Sequence, residues 1–235
     1  MENKIEVKAE DKMPDKIEYK TEIRRIEMVT HDVKRFILEK PKRFKFVPGQ
    51  HIKIKLEGFE KPKSFTISST NEEPFIELII KIYSERNGFT KRLGEMKPGQ
   101  EITIEEPQGK LVYKDKGLFI AAGTGITPFL AMFRQLKKDG KMSGNKLIYS
   151  NKTFDDIILD EELKDLFRSN YTRVLTQEEA EVEDEYFHYG RIDEEFLKDR
   201  INGYEWFYVC GPKEFTLAIR QILAKHGIKH EQVVA

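Results

Sequence analysis

Cysteine is almost absent from this sequence, because Cys210 is the single cysteine among 235 residues. A disulfide needs two thiols, and an iron–sulfur cluster or a cysteine-rich zinc site needs more. The five histidines do not replace them, since only His226 and His230 have i, i+4 spacing, with Gly227 between them. We therefore expect no metal site, and any redox centre should be organic.

Net charge and long apolar runs are also lacking. The 41 basic side chains balance 41 acidic ones, so no overall field attracts nucleic acid or anionic lipid. The apolar run at residues 118–122 is far too short to cross a bilayer, and the first residues lack the apolar stretch of a signal peptide. The sequence predicts a soluble, cytoplasmic protein with no transmembrane segment and no nucleic-acid partner.

The length of the chain favours two domains. The pattern of apolar and polar residues also changes along it. Residues 1–16 are mostly charged and are predicted to be a flexible lead-in. Residues 17–110 alternate apolar and polar side chains, which indicates half-buried strands and predicts an antiparallel Greek-key β-barrel. Residues 111–235 alternate strands with helices, which predicts a doubly wound α/β domain with a parallel sheet.

Turn signals and periodicity place the individual elements. Pro48-Gly49 and Pro98-Gly99 suit type II turns before strands. The predicted barrel strands are residues 17–29, 33–38, 51–56, 65–68, 75–83 and 101–105. The predicted strands of the second domain are residues 118–122, 146–150, 173–176 and 206–210, and its helices are one that ends at Gly140 and residues 160–167, 193–200 and 213–226.

A glycine-containing turn follows the first strand of the second domain, and its residues are Gly123, Thr124, Gly125, Ile126, Thr127 and Pro128. Two glycines allow the backbone to approach a ligand, Thr127 suits a helix N-cap, and Pro128 suits the first helical turn. The positive end of the helix would favour a pyrophosphate. An ordinary structural turn is the alternative, since Pro stands where a dinucleotide fingerprint has Gly or Ala.

A second turn, Cys210-Gly211-Pro212, follows a strand near the C-terminal end of the chain. Ligands of open α/β sheets bind outside the carboxyl ends of the strands, so both turns should face one crevice. By its residue type alone, Cys210 could equally be a small buried hydrophobe.

With these motifs the chain resembles the ferredoxin–NADP reductase-like family from about residue 17 onward. Its Lys63-Ser64-Phe65-Thr66 resembles the family's Arg-x-Tyr-Ser/Thr flavin motif, and residues 47–50 resemble the turn before the third strand. The resemblance implies that Thr66 lies beside the reactive flavin nitrogen, Phe65 against the ring and Lys63 near phosphate. Lys63 lacks the bidentate fork of Arg, and Phe65 lacks a hydroxyl, so FAD should bind less tightly.

The same resemblance covers other cofactor contacts. Gly88, Phe89 and Thr90 resemble the segment at a helix start that holds the flavin pyrophosphate, and Lys81 resembles a position near the cofactor. Asp156 matches an acidic position that cytochrome b5 reductase-type members associate with NADH. Thr176-Gln177 stands where many NADPH users carry Ser-Arg, although Lys152 leaves a cation nearby, so NADH is favoured over NADPH.

The function implied is hydride transfer from the nicotinamide to bound FAD, followed by electron transfer to a separate acceptor protein such as a flavodoxin, ferredoxin, haem protein or oxygenase component. In this reading Thr66, Cys210 and Glu231 are the catalytic residues. The basic residues 40–45 could dock an acidic carrier, and the acidic residues 178–185 a basic one. A free-flavin reductase and a non-catalytic flavin- or nucleotide-binding regulatory module are the alternatives.

Overall fold

The structure is a computed structural model that describes residues 17–179 and 186–235. The predicted flexible lead-in, residues 1–16, lies outside the described residues. So do residues 180–185 of the acidic stretch.

The first half of the chain forms one antiparallel sheet of six strands, in the order β4-β3-β6-β1-β2-β5. An isolated bridge between Ile67 and Leu78 joins the end of β4 to β5 and closes the sheet on itself. This arrangement confirms the predicted antiparallel barrel, and closure leaves fewer strand edges unpaired. The strands are β1 Glu18–Met28, β2 Val33–Glu39, β3 His51–Lys55, β4 Lys63–Thr66, β5 Phe75–Lys81 and β6 Glu101–Glu105.

A short helix, α1 Phe89–Gly94, packs on the barrel between β5 and β6. Its Phe89 and Leu93 join a core of isoleucines, leucines and phenylalanines from the inward faces of the strands. The Gly residues of the two Pro-Gly turns, Gly49 and Gly99, have φ of +99° and +89°, as a type II turn requires.

The second half forms a parallel sheet of six strands, in the order β10-β9-β8-β7-β11-β12. Helices cover both faces, with α2 and α3 on one side and α4 and α5 on the other. The strands are β7 Gly117–Ala122, β8 Lys146–Asn151, β9 Tyr171–Leu175, β10 Phe187–Tyr189, β11 Trp206–Cys210 and β12 Val233–Val234. The helices are α2 Thr127–Lys138, α3 Asp160–Phe167, α4 Glu194–Lys198 and α5 Lys213–Lys225.

The strand order places a topological switch point between β7 and β11. From β7 the chain adds β8, β9 and β10 on one side, and it then returns to place β11 on the other. Loops that leave neighbouring strands in opposite directions open a crevice at the carboxyl ends of those strands, which is where ligands of such sheets bind. The two turns singled out in the sequence follow β7 and β11.

Besides shifts of one or two residues at the ends of elements, three details differ from the prediction. The short strands β10 and β12 were not predicted, because three and two residues carry too little pattern. Thr127 is the first residue of α2 rather than its N-cap, and a 3-10 turn, Gly123–Ile126, precedes the helix. The Thr127 hydroxyl donates to the carbonyl of Thr124 at 3.0 Å, so the side chain closes that turn instead of capping the helix.

The two halves share buried apolar contacts. Val33 of β2 and Ile79 of β5 belong to the same cluster as Ile126, Phe129 and Phe133 of the turn and helix after β7. No helix within residues 17–179 and 186–235 combines the length and apolar character that crossing a membrane requires.

Candidate active site

The loops after β7 and β11 touch each other through their backbones. Cys210 pairs with Ala121 at the ends of the two strands. A Cβ built on Gly125 would lie only 2.3 Å from the carbonyl oxygen of Cys210 and 2.6 Å from the nitrogen of Gly211. Only glycine allows this approach, so the two predicted motifs form one surface. A close-packed, half-buried run of backbone at a switch point fits a dinucleotide pyrophosphate.

The turn after β7 is supported from below by a tyrosine that sequence reasoning missed. Gly123 adopts φ +51°, and its carbonyl accepts a hydrogen bond of 2.9 Å from the hydroxyl of Tyr149 in β8. Burial raises the pKa of that hydroxyl far above its ordinary value, so it remains a donor. A buried Tyr needs a hydrogen-bond partner for its hydroxyl, so a Tyr in a predicted buried strand was the signal by which the sequence could have indicated this contact.

Cys210 ends β11, directly beside the turn after β7, and is half-buried. Burial raises the pKa of its thiol to about 11, although the backbone N–H of Gly211 partly opposes this shift. The thiol therefore stays protonated at neutral pH and brings no charge to a bound nicotinamide. Thiolate nucleophiles need a lowered pKa, so this environment suits a packing and positioning group. Pro212 then forms the N-cap of α5.

The flavin motif forms the edge strand β4 of the barrel sheet. Lys63 and Ser64 are exposed, whereas Phe65 and Thr66 are half-buried and pair with Ile52 and His51 of β3. The ring of Phe65 lies 6.0 Å from that of Phe89 in α1, at an angle of 31°. The structure thus brings the two predicted flavin segments, residues 63–66 and 88–90, together.

The backbone N–H groups at the start of α1 have no capping side chain and no acidic residue in the first turn of the helix. Gly88 is the N-cap and has no side chain to cap the helix, and the first turn contains no Asp or Glu. The hydroxyl of Thr90 instead accepts a long hydrogen bond of 3.4 Å from the N–H of Tyr83. An uncapped helix start next to the rings of Phe65 and Phe89 is compatible with binding the phosphates of FAD.

Lys81 and Asp156 are linked by a chain of polar contacts that crosses between the two halves. Lys81 Nζ lies 2.6 Å from Asp32, and His31 Nε2 lies 3.6 Å from Asp32 and 3.9 Å from Asp156. The other oxygen of Asp156 accepts hydrogen bonds from the N–H and hydroxyl of Thr153, at 3.0 and 2.9 Å. His31, Asp32 and Asp156 are close enough to share a cation, but Lys81 and Thr153 already serve both carboxylates.

A second carboxylate near Asp156 was missed as a site residue. The segment after β9 runs beside the segment after β8, since Gln177 N donates to the carbonyl of Lys152 at 2.9 Å. Glu178 then accepts a hydrogen bond of 2.7 Å from the N–H of Phe154. The acidic group therefore occupies a backbone donor that could otherwise bind an anion.

Glu231 is separated from the other predicted catalytic residues. It is exposed, in the 3-10 turn His230–Gln232 that precedes β12. Because β12 runs parallel to β11, with Val233 beside Phe207, this turn lies at the amino end of the sheet, and Gln232 donates to the carbonyl of Glu205. Cys210 ends β11 at the opposite, carboxyl end of the sheet, so Glu231 is left out of the site proposed below.

Arg134 of α2 is the main polar link between the halves and was also missed. Its guanidinium donates to Glu162 of α3 at 2.6 and 2.8 Å, and to Glu77 and the carbonyl of Ser68 in the barrel at 2.5 and 2.8 Å. Burial acts to lower the pKa of Arg134, but Glu162 and Glu77 outweigh it and raise the pKa above its ordinary value. The side chain is therefore a permanent cation.

Two known domain families match consecutive parts of this chain. Residues 20–113 match the oxidoreductase FAD-binding domain, and residues 119–221 match the oxidoreductase NAD-binding domain. NADH-cytochrome b5 reductase 1 of Candida glabrata is 31% identical over 202 residues, which cover 80% of this chain and 70% of that protein. The chain belongs to the ferredoxin reductase-like family of oxidoreductases.

Other similar proteins share this organisation. The CS-b5R domains of human Ncb5or, in their NAD+ form, superpose with a TM-score of 0.79 and 26% identity, covering 93% of this chain and 69% of that one. Methane monooxygenase component C of Methylosinus trichosporium is 30% identical over 159 residues, which are 63% of this chain and 46% of that protein. This member of the family is an FAD-dependent NAD(P)H oxidoreductase, as the sequence predicted.

Proposed function

We propose that this oxidoreductase takes a hydride from NADH in the crevice between the β7 and β11 loops and passes electrons to a separate acceptor protein. The observation that carries this proposal is the backbone contact of Gly125 with Cys210, which creates one dinucleotide surface at the switch point. Bound FAD would supply the chemistry, since a flavin accepts a hydride and can release its electrons singly. The chain supplies position and electrostatics.

On the barrel side, β4 and α1 would hold FAD. Phe65 and Thr66 offer an aromatic face and a hydroxyl that are half-buried, while the exposed Lys63 offers a positive charge without a competing ion pair of its own in the described residues. The uncapped start of α1 at Gly88, Phe89 and Thr90 would receive the pyrophosphate. In this arrangement Ser64 points away from Phe65 along the strand, and Lys81 acts through its ion pair with Asp32.

On the sheet side, the backbone of Gly123, Thr124 and Gly125 would receive the dinucleotide pyrophosphate. Thr127 and Pro128 hold the turn and the helix start in place, and both are buried. The neutral thiol of Cys210, followed by Gly211 and Pro212, would form the wall beside the nicotinamide. Geometry of this kind contributes to catalysis by holding the reacting groups close and excluding water.

Preference for NADH is supported by the acidic character of the segments after β8 and β9. Asp156 and Glu178 both lie there, and Glu178 occupies the Phe154 N–H that a 2′-phosphate could use. A carboxylate accepts hydrogen bonds from free ribose hydroxyls and repels a 2′-phosphate. The exposed Lys152 contributes positive charge to these segments, whereas Asp155 and Glu179 add to the negative charge of Asp156 and Glu178.

The acceptor is proposed to be a protein, by likeness to relatives named as reductases of cytochrome b5 and as a methane monooxygenase component. Of the predicted basic docking stretch, Lys42, Arg43 and Lys45 are exposed, whereas Lys40 is tied to the carbonyl of Asn71. Three exposed cations on one loop would attract an acidic carrier through an association that weakens with salt. A cytoplasmic location stays a prediction, which cell fractionation would check.

The test is anaerobic stopped-flow reduction of the purified, FAD-loaded protein by NADH and by NADPH, followed by mixing with cytochrome b5, ferredoxin or flavodoxin. We expect rapid bleaching of the flavin by NADH and faster reoxidation by one carrier than by free FMN. A colourless protein that reduces added FMN would instead identify a free-flavin reductase. An FAD-loaded protein that neither nucleotide bleaches would favour the regulatory module.

A further inference from the structure

Arg134 connects the two cofactor-facing parts of the molecule through a short path. It lies in α2, the helix that begins directly after the Gly123–Ile126 turn. Its Nη1 donates to the carbonyl of Ser68, which is two residues beyond Thr66 of the flavin-facing strand. One guanidinium therefore spans from the nicotinamide loop's helix to the end of the flavin strand.

The barrel side of this link is itself rigid. Glu77 of β5 is 7% exposed and accepts from both Arg134 and the hydroxyl of Ser68, the latter at 2.8 Å. Arg35 of β2 approaches the other oxygen of Glu77 at 3.5 Å. Charge-assisted hydrogen bonds in a buried setting have defined directions. The contacts with Glu77 and Ser68 therefore fix both the position and the orientation of the Arg134 guanidinium on the barrel.

The sheet side is equally constrained. The Nε and Nη2 atoms of Arg134 donate to the two oxygens of Glu162 at 2.6 and 2.8 Å, a bidentate pair that orients the plane of the guanidinium. Further contacts cross between the halves, among them Lys138 with Glu73 at 2.9 Å and His31 with Asp156 at 3.9 Å, but Lys138 and Glu73 are each more than a third exposed and His31 is 61% exposed. Exposed pairs contribute little, so Arg134 dominates the polar link.

We propose that Arg134 is a positioning residue that sets the distance between the nicotinamide loop and the flavin strand during hydride transfer. The inference rests on the proposed hydride-transfer crevice. Its partners on the barrel, Glu77 and Ser68, hold the end of β4, and its partner Glu162 holds α3 against α2. If the bridge is lost, α2 and its preceding turn can shift against the barrel while each cofactor surface stays intact.

The experiment compares Arg134→Met, Arg134→Lys and Glu77→Gln with Lys137→Met, which removes an exposed cation from the same helix. Each FAD-loaded variant is mixed anaerobically with NADH or with NADH deuterated at the transferred position. We expect Arg134→Met to lower the rate constant of flavin reduction about 10- to 100-fold, because displacements of up to 1 Å have effects of that order. Its isotope effect should become larger and more temperature-dependent, while NADH affinity changes only a few-fold.

Arg134→Lys should restore part of the rate, since it keeps the charge but not the bidentate geometry. The reduction rate of Glu77→Gln should lie between those of Arg134→Met and the wild type. Lys137→Met should match the wild type. A merely structural role would lower the melting temperature and the FAD content but leave the rate per bound flavin and the isotope effect unchanged, which would overturn the proposal. If Arg134→Met does not retain FAD, the same comparison rests on Arg134→Lys and Glu77→Gln. A wild-type protein that NADH does not bleach would instead reject the proposed function itself.

Discussion

Gly125→Ala is the substitution whose effect the structure defines most sharply. The added Cβ would lie 2.3 Å from the carbonyl oxygen of Cys210, 2.5 Å from its carbonyl carbon and 2.6 Å from the nitrogen of Gly211. Ordinary Cβ contacts begin at 3.4 Å, and the neighbours are backbone atoms that cannot rotate away. The β7 and β11 loops must therefore separate by about 1 Å.

The separation should change the rate rather than the binding of FAD. A misplacement of about 1 Å between reacting groups can lower a rate about 100-fold. We expect the anaerobic single-turnover reduction of bound flavin by NADH to fall by about that factor. The FAD content should stay at the wild-type value, because the flavin-facing elements β4 and α1 belong to the barrel.

Gly140→Ala, just beyond the far end of α2 and outside the proposed cofactor surfaces, is the matched control. Gly140 has φ +67°, and nothing lies within 4 Å of an added Cβ. Alanine there is strained by about 1 kcal/mol, which lowers the melting temperature by about 2–4 °C in a chain of this size, but it pushes no loop away. Its rate should stay within a few-fold of wild type. A Gly125→Ala protein that reduces its flavin at the wild-type rate would refute the reasoning that this contact shapes the crevice.

The remaining predictions concern three other groups. Tyr149→Phe removes the donor to the Gly123 carbonyl and should destabilise the fold by about 1 kcal/mol, seen as a melting temperature about 2–4 °C lower; an unchanged value would mean that water replaces the bond. The pKa of the Cys210 thiol is raised to about 11 from 9.0, so the protonated thiol favours the folded state, and its contribution is full below pH 9 and lost as the pH rises toward 11. Labelling of the folded protein by iodoacetamide should accordingly stay slow until about pH 10, and fast labelling at pH 8 would contradict the burial. Glu178→Gln keeps the hydrogen bond to Phe154 but removes a negative charge. The KM for NADPH should therefore fall about fivefold, which corresponds to about 1 kcal/mol of lost repulsion, while the KM for NADH stays within twofold. Equal changes in KM for both nucleotides would exclude a role of this position in selectivity.

Periodicity and turn chemistry were sufficient to predict both halves of the fold. A strand covered on one face alternates and a strand covered on both faces is continuously apolar, so the barrel and the parallel sheet leave different local patterns. The glycines of the β7 turn and the Cys-Gly-Pro turn were also readable, because close backbone approach demands a residue without a side chain. Both ends of β4 and the start of β9 lie two residues before their predicted positions, because pairing with a neighbour, rather than composition, decides where a strand begins and ends.

The partners of individual charged groups depended on tertiary structure alone. The family resemblance implied that Glu231 helps proton exchange near the flavin, but the parallel pairing of β12 with β11 places it at the amino end of the sheet. Arg134 looked like one polar residue on an amphipathic helix until the barrel placed Glu77 and Ser68 beside it.

The sequence by itself therefore determined the two-sheet architecture, the family and the two loops that meet at the switch point, because these depend on local residue types and their spacing. Only the tertiary structure decided which carboxylates face Arg134 and Lys81, since these ion pairs join residues far apart in sequence. Asp156 shows both contributions. The family resemblance predicted a place beside the ribose, and the contact of one oxygen with Thr153 is a local capping box. The approach of His31 to the other oxygen, at 3.9 Å, depends on tertiary structure because His31 belongs to the barrel half.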